Sequence, residues 1–391
     1  MTPPPTGFAT TEFRARTEHA QRFMAADGLD ALLLTSEPDV RYFSGFLTRF
    51  WESPTRPWFL VVPASGKPIA VIAGIGADLM SGTWLDDIRT WSAPCPGDDG
   101  VTLLGDTLAG LCRPGGRIGV PMGPETSLRM PLADFDRVRR SLAGVDFVDA
   151  TAIIQTLNRV KSEPEIAKIA HICKVAGRAF DAVASIAGPG VSLSDVFRDF
   201  QIALLAAGAD WVPYLAGGAG ADGYGDVISP ATEAPLRPGD VLMLDTGAVH
   251  DGYFCDFDRN FAISRAGDDA RRAYHALYAA TEAGLATARP GATTADVYHA
   301  MARVISRHHG GGGDGGGVGR LGHGLGMRLT EWPSLTPEDR TVLEPGMVLT
   351  LEPGLELASG RIMVHEEDIV IRDGGAELLT RRAPPDLPIL E

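Results

Sequence analysis

Two stretches of this sequence repeat one pattern: Leu236-Arg-Pro-Gly-Asp-Val-Leu-Met-Leu-Asp245 and, further on, Leu343-Glu-Pro-Gly-Met-Val-Leu-Thr-Leu-Glu352. Each stretch begins with Leu-X-Pro-Gly, continues as an apolar strand and ends in a carboxylate. Each is followed by a turn signal, Asp251-Gly252 or Ser359-Gly360, and then by a second acid. Because a tight turn folds two strands against each other, we predict two hairpins, with the two acids of each hairpin facing one another.

The two predicted hairpins bring four carboxylates close together: Asp245 and Asp256 from the first, Glu352 and Glu367 from the second. Like charges within a few Å of each other in a protein interior are unstable without a cation. Four solvated loop acids are the alternative interpretation. The repetition of the hairpin, with acids at matching positions, favours bound metal over that alternative.

His323 lies between glycines in Gly322-His-Gly-Leu-Gly326, a setting that allows close backbone packing around an imidazole. A lone histidine is more often a structural group, but beside four acids it is a natural nitrogen ligand. Such a hard, oxygen-rich site suits Mn²⁺, Co²⁺, Fe²⁺ or Zn²⁺, and bridging carboxylates allow two ions about 3.5–4 Å apart. A pair of ions activates a water and polarises a carbonyl, which predicts hydrolysis of an amide or another C–N bond.

Composition narrows the function classes. The chain has 391 residues and a formal charge of −15, which argues against a nucleic-acid or anionic-membrane surface because both require a basic face. Its four cysteines are scattered without a CxxC motif, which favours a reduced protein. The N-terminus shows no basic-then-apolar signal segment, and no apolar run approaches the ~18 residues of a membrane span. We therefore expect a cytoplasmic protein without nucleic-acid or membrane partners.

Length and pattern predict two domains, residues 1–155 and residues 156–391. In the first, short apolar runs alternate with helical patterns, which indicates an α/β domain with a mixed sheet. The second opens on Ser162-Glu-Pro-Glu165, a capping-box signature at the start of a helix. Its Pro189-Gly-Val-Ser-Leu-Ser-Asp195 returns as Pro290-Gly-Ala-Thr-Thr-Ala-Asp296. Together with the strand repeat, this predicts an internally duplicated α+β domain with pseudo-two-fold symmetry and the site on its axis.

Five motifs in this order resemble the creatinase/prolidase family of pita-bread metallopeptidases (clan M24): Asp245-Thr-Gly247, Gly252-Tyr253 with Asp256-Phe-Asp-Arg259, Gly322-His-Gly-Leu-Gly326, Thr350-Leu-Glu-Pro-Gly354 and Glu367-Asp368. The resemblance covers about residues 156–391. The N-terminal half resembles the accessory domain of the longer members: Xaa-Pro dipeptidase, aminopeptidase P and creatinase. The resemblance implies two divalent ions, Mn²⁺ first among the candidates, held by Asp245, Asp256, His323, Glu352 and Glu367. It also makes Glu352 the proton shuttle for the attacking water.

The sequence departs from the family on the substrate side. Peptidases of the family carry one histidine where this chain has Thr330 and another where it has Val227, and a threonine where it has Asp258. Those histidines bind the substrate carbonyl or help with protons, so their absence casts doubt on an ordinary prolidase. His365 lies two residues before Glu367, so an extended strand directs both to one face and makes His365 a candidate catalytic group. An edge histidine in solvent is the alternative.

The loop Arg49–Trp58 is rich in aromatics and arginine. In dimeric long members of the family, a loop of the N-terminal domain crosses to the partner's active site. The resemblance therefore implies a homodimer in which Arg49 or Arg56 anchors a substrate carboxylate and Trp51 or Trp58 forms a pocket wall. A surface loop partly covered by its neighbours is the alternative.

The leading hypothesis is a dinuclear-metal hydrolase of a C–N bond in a dipeptide or other small molecule, similar to Xaa-Pro dipeptidases and aminopeptidases. The alternatives are a hydrolase of a creatine-like or ectoine-like solute, a metal-dependent lyase on the same fold, and a binding module without catalysis.

Overall fold

The computed structural model describes residues 2–53, 56–308, 319–357 and 359–391. It divides into two compact units, Pro5–Asn158 and Arg159–Glu391 with the first four residues. The predicted domain boundary after residue 155 falls inside a helix, Thr151–Arg159, that spans this division. The glycine-rich stretch 310–317, predicted from its composition to be a flexible loop, lies outside the described residues.

The N-terminal unit is built on one six-stranded mixed sheet. Its strands are β1 (Ala31–Leu34), β2 (Trp58–Pro63), β3 (Ile69–Ala73), β4 (Asp87–Trp91), β5 (Arg117–Val120) and β6 (Asp146–Asp149). Its helices are α1 (Thr10–Asp27), α2 (Glu37–Ser44), α3 (Ala77–Ser81), α4 (Val101–Ala109), α5 (Leu132–Ser141) and α6 (Thr151–Arg159). The strand order is β4-β3-β2-β1-β5-β6, with β1 antiparallel to β2 and parallel to β5. This arrangement matches the predicted α/β domain with a mixed sheet.

Five of the six strands coincide with the short apolar runs of the sequence, and β4 does not. β4 reads Asp-Ile-Arg-Thr-Trp and forms one edge of the sheet, where its side chains are only partly buried. An edge strand tolerates polar residues because one of its sides faces solvent, so it lacks the apolar signature of the central strands.

The C-terminal unit contains helices and two main sheets. Its helices are α7 (Glu163–Asp181), α8 (Val183–Ile186), α9 (Leu193–Ala207), α10 (Asp268–Thr287) and α11 (Thr294–His308). Its strands are β7 (Trp211–Ala221), β8 (Asp240–His250), β9 (Tyr253–Phe254), β10 (Phe257–Ile263), β11 (His323–Gly324), β12 (Glu331–Ser334), β13 (Val348–Leu351), β14 (Gly354–Glu356), β15 (Ile362–Val364), β16 (Glu367–Arg372), β17 (Gly375–Leu378) and β18 (Ile389–Leu390).

The order of elements in this unit occurs twice, helices first and antiparallel strands afterwards. One sheet has the order β18-β10-β8-β7, with β9 beside β8, and the other has the order β12-β11-β13-β16-β17. Strands β14 and β15 form a separate hairpin. The repeated order agrees with the internally duplicated α+β domain predicted from the sequence. None of the described helices is long and apolar enough to cross a bilayer.

Helix α7 forms where the sequence predicted it. The capping box is present: the Ser162 N–H donates to the Glu165 carboxylate at 2.8 Å, and Ser162 caps the helix in return. The apolar positions of α7 face the core of the unit. On the same helix, Lys168 forms an ion pair of 2.7 Å with Asp251, and both side chains are buried. This pair fixes α7 to the turn that follows β8, the strand that carries Asp245.

Candidate metal centre

The first predicted hairpin forms, but its register differs from the prediction. Asp251 and Gly252 both have positive φ (44° and 69°) and make the two-residue turn between β8 and β9. The turn is therefore centred one residue further along than predicted, and Asp245 pairs with Asp258 instead of Asp256. Asp256 lies just before β10 and still comes close to Asp245. The predicted facing of Asp245 and Asp256 is wrong, although both reach one cluster.

The second hairpin is also shifted by one residue. Leu351 on β13 pairs with Glu367 on β16. One residue further towards the turn, Glu352 therefore lies opposite Glu366. Successive side chains of a strand alternate between faces, so this shift exchanges the side on which Glu366 and Glu367 point. The predicted facing of Glu352 and Glu367 is therefore wrong.

Glu367 belongs to a different network. Its carboxylate is fully enclosed and accepts hydrogen bonds from Arg259 (3.0 Å), Arg382 (3.0 Å) and the Ala383 N–H (2.9 Å), and also from Thr380. Burial raises the pKa of Glu367, but Arg259 and the other partners outweigh burial and lower it. The structure thus contradicts the placement of Glu367 among the clustered acids.

Asp245, Asp256 and Glu366 form the centre of the site. One ligand oxygen from each lies within 4.8 Å of the other two, and all three residues are buried. Asp245 Oδ1 and Glu366 Oε2 have no hydrogen-bond partner among the described residues. Burial and then neighbouring carboxylates raise the pKa of Asp245 and of Glu366 well above the usual range. A divalent cation would satisfy the orphaned oxygens and relieve the repulsion, so these residues fit a bound metal.

His323 and Glu352 border this centre. His323 Nε2 lies 3.3 Å from Asp256 Oδ2 and 3.3 Å from Glu352 Oε2, while Nδ1 lies 2.8 Å from the Gly324 carbonyl. A ring held through Nδ1 presents Nε2 to the carboxylates, as metal-binding histidines do. Burial lowers the pKa of His323, but the Glu352 and Asp256 carboxylates outweigh burial and raise it to about 10.

The glycines around His323 are required by close backbone contacts. Gly322 has a φ of 141°, and a Cβ there would lie 2.3 Å from the Thr350 carbonyl on β13. A Cβ on Gly324 would lie 2.8 Å from the Glu331 carbonyl on β12. The strand that carries the imidazole is therefore packed between its two neighbours, as the sequence indicated.

Arg320 and Thr330 lie at the Glu352 side of the cluster. Arg320 Nε lies 3.4 Å from Glu352 Oε1, and Arg320 Nη2 donates to Thr330 Oγ1 at 3.4 Å. Burial raises the pKa of Glu352, but His323 and Arg320 outweigh burial and lower it. The sequence indicated Thr330, which occupies the position of a family histidine, but it gave no indication that Arg320 contacts the cluster. Its contact with Glu352 joins two segments far apart in the chain and has no local sequence signal.

Tyr214 and Asp258 also contact the cluster, although the sequence predicted no role in the site for either. The Tyr214 hydroxyl, on β7, is hydrogen-bonded to Asp245, and burial followed by Asp245 raises the pKa of this tyrosine. Asp258 Oδ1 accepts the Glu366 N–H at 2.6 Å, and Oδ2 accepts from Asn260 at 2.7 Å. Asp258 therefore fixes the backbone of Glu366. The sequence marked Asp258 only as a departure from the family's threonine, and nothing local marked Tyr214.

His365 does not enter the cluster. It lies close to Glu367, as expected, but among the described residues neither His365 nor Glu367 belongs to the group formed by Asp245, Asp256 and Glu366. The ring is buried against α10, with Nδ1 3.2 Å from Thr281 Oγ1 and ring centroids 5.7 and 6.0 Å from those of Tyr274 and Tyr278. Burial lowers the pKa of His365 to about 3, so the imidazole is neutral. The structure supports neither the catalytic role nor the solvent-exposed alternative.

Replacing His365 with Ala is therefore expected to reduce stability and to leave metal content unchanged. The lost contacts with α10 should lower the free energy of unfolding by about 1–3 kcal/mol, as for other buried substitutions. Chemical denaturation and metal analysis of the purified variant measure the two quantities. If the variant lost its metal while its stability was unchanged, His365 would be a residue of the metal site.

The N-terminal candidates for substrate binding lie in the other unit. Trp51 is buried, with its ring 5.0 Å from the Arg129 guanidinium, and its backbone carbonyl also accepts from Arg129. The Arg56 guanidinium lies 5.0 Å from the Phe50 ring. Arg49 precedes the short 3-10 helix that contains Trp51. Trp51 thus packs within its own unit, and the substrate roles of all three residues stay predictions.

Comparisons with known proteins agree with this architecture. The model of metallopeptidase family M24 matches residues 167–373, and that of the Creatinase/Prolidase N-terminal domain matches residues 16–160. The chain is 28% identical to the "Probable dipeptidase PepE" of Mycobacterium tuberculosis, over 98% of both chains. It is 27% identical to the Xaa-Pro dipeptidase of Pyrococcus horikoshii, over 92% of this chain and 95% of the relative.

A solved structure of dipeptidase PepE from Mycobacterium ulcerans has a TM-score of 0.83 and 26% identity, covering 98% of this chain and 99% of that one. These likenesses confirm the predicted fold, an α/β mixed-sheet domain followed by an α+β pita-bread domain. The chain therefore belongs to metallopeptidase family M24 and is a metal-dependent peptidase of that family.

Proposed function

We propose that this peptidase uses two divalent ions to hydrolyse the amide bond of dipeptides, with Xaa-Pro dipeptides as the first substrate class. The observation that carries the proposal is the buried cluster of Asp245, Asp256 and Glu366, in which the first and last have an oxygen without a hydrogen-bond partner among the described residues. His323 and Glu352 complete the proposed ligand set. Glu366 replaces Glu367 in the set predicted from the sequence.

The bound ions would supply a Lewis acid for the scissile carbonyl and a water of lowered pKa. The remaining chemistry belongs to the chain. Glu352 is the least buried of the clustered acids, with a side chain 15% exposed, and His323 and Arg320 favour its ionised form. A carboxylate in that state accepts a proton from the attacking water and passes it to the leaving nitrogen. Tyr214 and Asp258 hold Asp245 and the Glu366 backbone in place for this step.

The proposal also covers the metal ion, the cellular compartment, the oligomeric state and the domains of the chain. Mn²⁺ is the first candidate ion because carboxylate-rich sites suit it. The free state of Cys95, Cys112, Cys173 and Cys255 supports a reducing, cytoplasmic compartment. Similarity to the long members supports a homodimer in which Arg49, Arg56 and Trp51 complete the partner's substrate site. The two family models, over residues 16–160 and 167–373, support a chain of two domains.

A reconstitution experiment tests the substrate class. Protein stripped with a chelator should be inactive, and reloading with Mn²⁺, Co²⁺ or Zn²⁺ should restore cleavage of Ala-Pro and Leu-Pro. Titration calorimetry should give two equivalents of metal, and mass spectrometry should detect free proline. A metal-loaded protein that cleaves none of these dipeptides would contradict the proposal.

A hydrolase of a non-peptide solute is the second candidate, favoured by Thr330 and Val227 at the positions of the family's auxiliary histidines. The same metal-loaded protein decides between them. Turnover of a creatine-like or ectoine-like compound, with no turnover of the dipeptides, would favour the solute hydrolase.

A further inference from the structure

Two histidines outside the candidate metal centre lie against each other where α7 meets the end of β8. His171 belongs to α7 and His250 is the last residue of β8. Their ring centroids are 4.5 Å apart, and the ring planes are tilted by 58°. His250 is buried, and neither of its ring nitrogens has a hydrogen-bond partner among the described residues. A buried polar group without a partner is costly, so a ligand on this imidazole would stabilise the fold.

Asp210 brings a carboxylate to the same place. Its Oδ2 lies 3.6 Å from His250 Nδ1, which is too long for a hydrogen bond between them. Two ligands of one tetrahedral zinc ion, each bonded at about 2.0–2.2 Å, are about 3.4 Å apart. The separation of this nitrogen and this oxygen is therefore close to that of two atoms that bind one ion.

The backbone around these side chains is fixed by contacts that do not involve the imidazoles. The Asp210 N–H donates to the Val249 carbonyl at 2.9 Å, and Asp210 Oδ2 accepts the Asp251 N–H at 2.6 Å. Asp251 forms its buried ion pair with Lys168, which belongs to α7 together with His171. The start of β7, the end of β8 and helix α7 therefore hold the three candidate ligands side by side.

The protonation state of His171 suits a metal ligand, because an imidazole binds metal in its neutral form. Burial and then His250, Arg178 and Lys174 lower the pKa of His171, and they outweigh the opposing effect of Asp210. At neutral pH the ring is therefore uncharged. The two cations also repel a metal ion, and the Asp210 carboxylate offsets that repulsion.

We propose that His171, His250 and Asp210 form a mononuclear Zn²⁺ site, separate from the proposed catalytic ions. The fold places His250 and Asp210 at ligand spacing, and rotation of the half-buried His171 side chain supplies the third ligand. Zinc takes imidazole and carboxylate ligands, with a water in the fourth position. His250 is five residues beyond Asp245 on β8, a distance of about 17 Å along an extended strand. The ion would join α7 to β7 and β8 without touching the substrate.

The ligand types separate this site from the central cluster. Asp245, Asp256 and Glu366 offer only oxygen atoms, which suits Mn²⁺. The proposed site offers two imidazole nitrogens, which favour Zn²⁺ over Mn²⁺. Excess Mn²⁺ should therefore fail to displace zinc from the histidines.

The test counts zinc ions in protein whose central cluster is disabled. Glu366→Gln is stripped with a chelator and titrated with ZnCl₂ in a calorimeter, with excess Mn²⁺ present. His250→Gln, His171→Gln and Asp210→Asn are then added to it singly. The parent should bind one equivalent through the histidines, and each replacement should weaken that binding by more than about 100-fold, because a ligand is worth more than the ~10–100-fold of a partner that orients one. Zinc should raise the Tm of the parent and leave that of the His250→Gln protein unchanged.

His275→Gln is the matched control, since His275 is an exposed histidine whose Nε2 lies 3.3 Å from the Asp386 carboxylate. It should keep the full zinc count. If His250→Gln does not fold, the half-buried His171 and the exposed Asp210 decide, and the Asn at 210 still accepts the Asp251 N–H.

An unchanged zinc count in folded His171→Gln and Asp210→Asn proteins would rule the site out, and an equal loss in His275→Gln would show adsorption to surface histidines. The result is a difference between the parent and its variants, so it holds whatever metal the central cluster retains. It also requires no turnover, so a failure of the proposed peptidase reaction would leave it intact.

Discussion

Replacing Glu366 with Gln is expected to remove bound divalent metal and to abolish peptide hydrolysis, whereas replacing its neighbour Glu367 with Gln is expected to leave the metal in place. Glu366 contributes a buried oxygen to the cluster with Asp245 and Asp256. Its loss should weaken metal binding by more than about 100-fold, because even the partners that orient metal ligands are worth ~10–100-fold.

The Glu367→Gln variant should fail differently. Glu367 neutralises Arg259 and Arg382. Its replacement leaves Arg259 without this carboxylate and leaves Arg382 with Glu282, its other partner at 2.8 Å. We expect a loss of roughly 3 kcal/mol in the free energy of unfolding, near the low end for a broken buried ion pair because Gln still accepts hydrogen bonds. Metal analysis after dialysis and chemical denaturation of both variants separate the two outcomes. If Glu367→Gln lost its metal while Glu366→Gln kept it, the result would favour Glu367 as the metal ligand, as predicted from the sequence.

Replacing Lys161 with Met is expected to cause a large loss of stability in the C-terminal unit. The Lys161–Glu331 pair is 2.9 Å long, and its side chains are only 3% and 5% exposed. Removing one partner leaves a buried charge, which costs about 3–5 kcal/mol. Glu331 also accepts from the Met327 and Arg328 N–H groups, so the loop between β11 and β12 should loosen. Activity should then fall together with stability.

Denaturant unfolding of a double-mutant cycle measures this coupling. Lys161→Met with Glu331→Gln should be more stable than Lys161→Met alone, because no unpaired buried charge is left. Lys67→Met is the matched control, since Lys67 pairs with Asp86 at 2.8 Å near the surface, where an ion pair contributes about 0–1 kcal/mol. Equal losses for Lys67→Met and Lys161→Met would contradict the importance of burial.

The one-residue errors in both hairpins have the same physical origin. The turn signals at Asp251-Gly252 and Ser359-Gly360 were located correctly in the sequence, but a turn signal does not fix which two residues form the centre of the turn. Strand side chains alternate, so an error of one residue moves a carboxylate to the opposite face. This is how Glu366 takes the place expected for Glu367, and how His365 comes to lie against Tyr274 and Tyr278.

The features that could be predicted from the sequence are those that local chemistry specifies. It contains the repeated Pro-Gly strands that end in acids, the glycines that let His323 pack between two strands, the capping box of α7 and the family motifs, and from these the fold class and the metal-dependent chemistry follow. Each of these features acts within a few residues along the chain.

Strand register and packing select which of two adjacent acids faces the cluster, and they bring Tyr214, Arg320 and Asp258 to the ligands. These contacts join residues far apart in the chain, and their identity depends on strand register and on the packing of separate strands. A single sequence specifies neither by local pattern, because a shift of one residue leaves composition and motifs unchanged while it reverses the direction of every side chain on the strand.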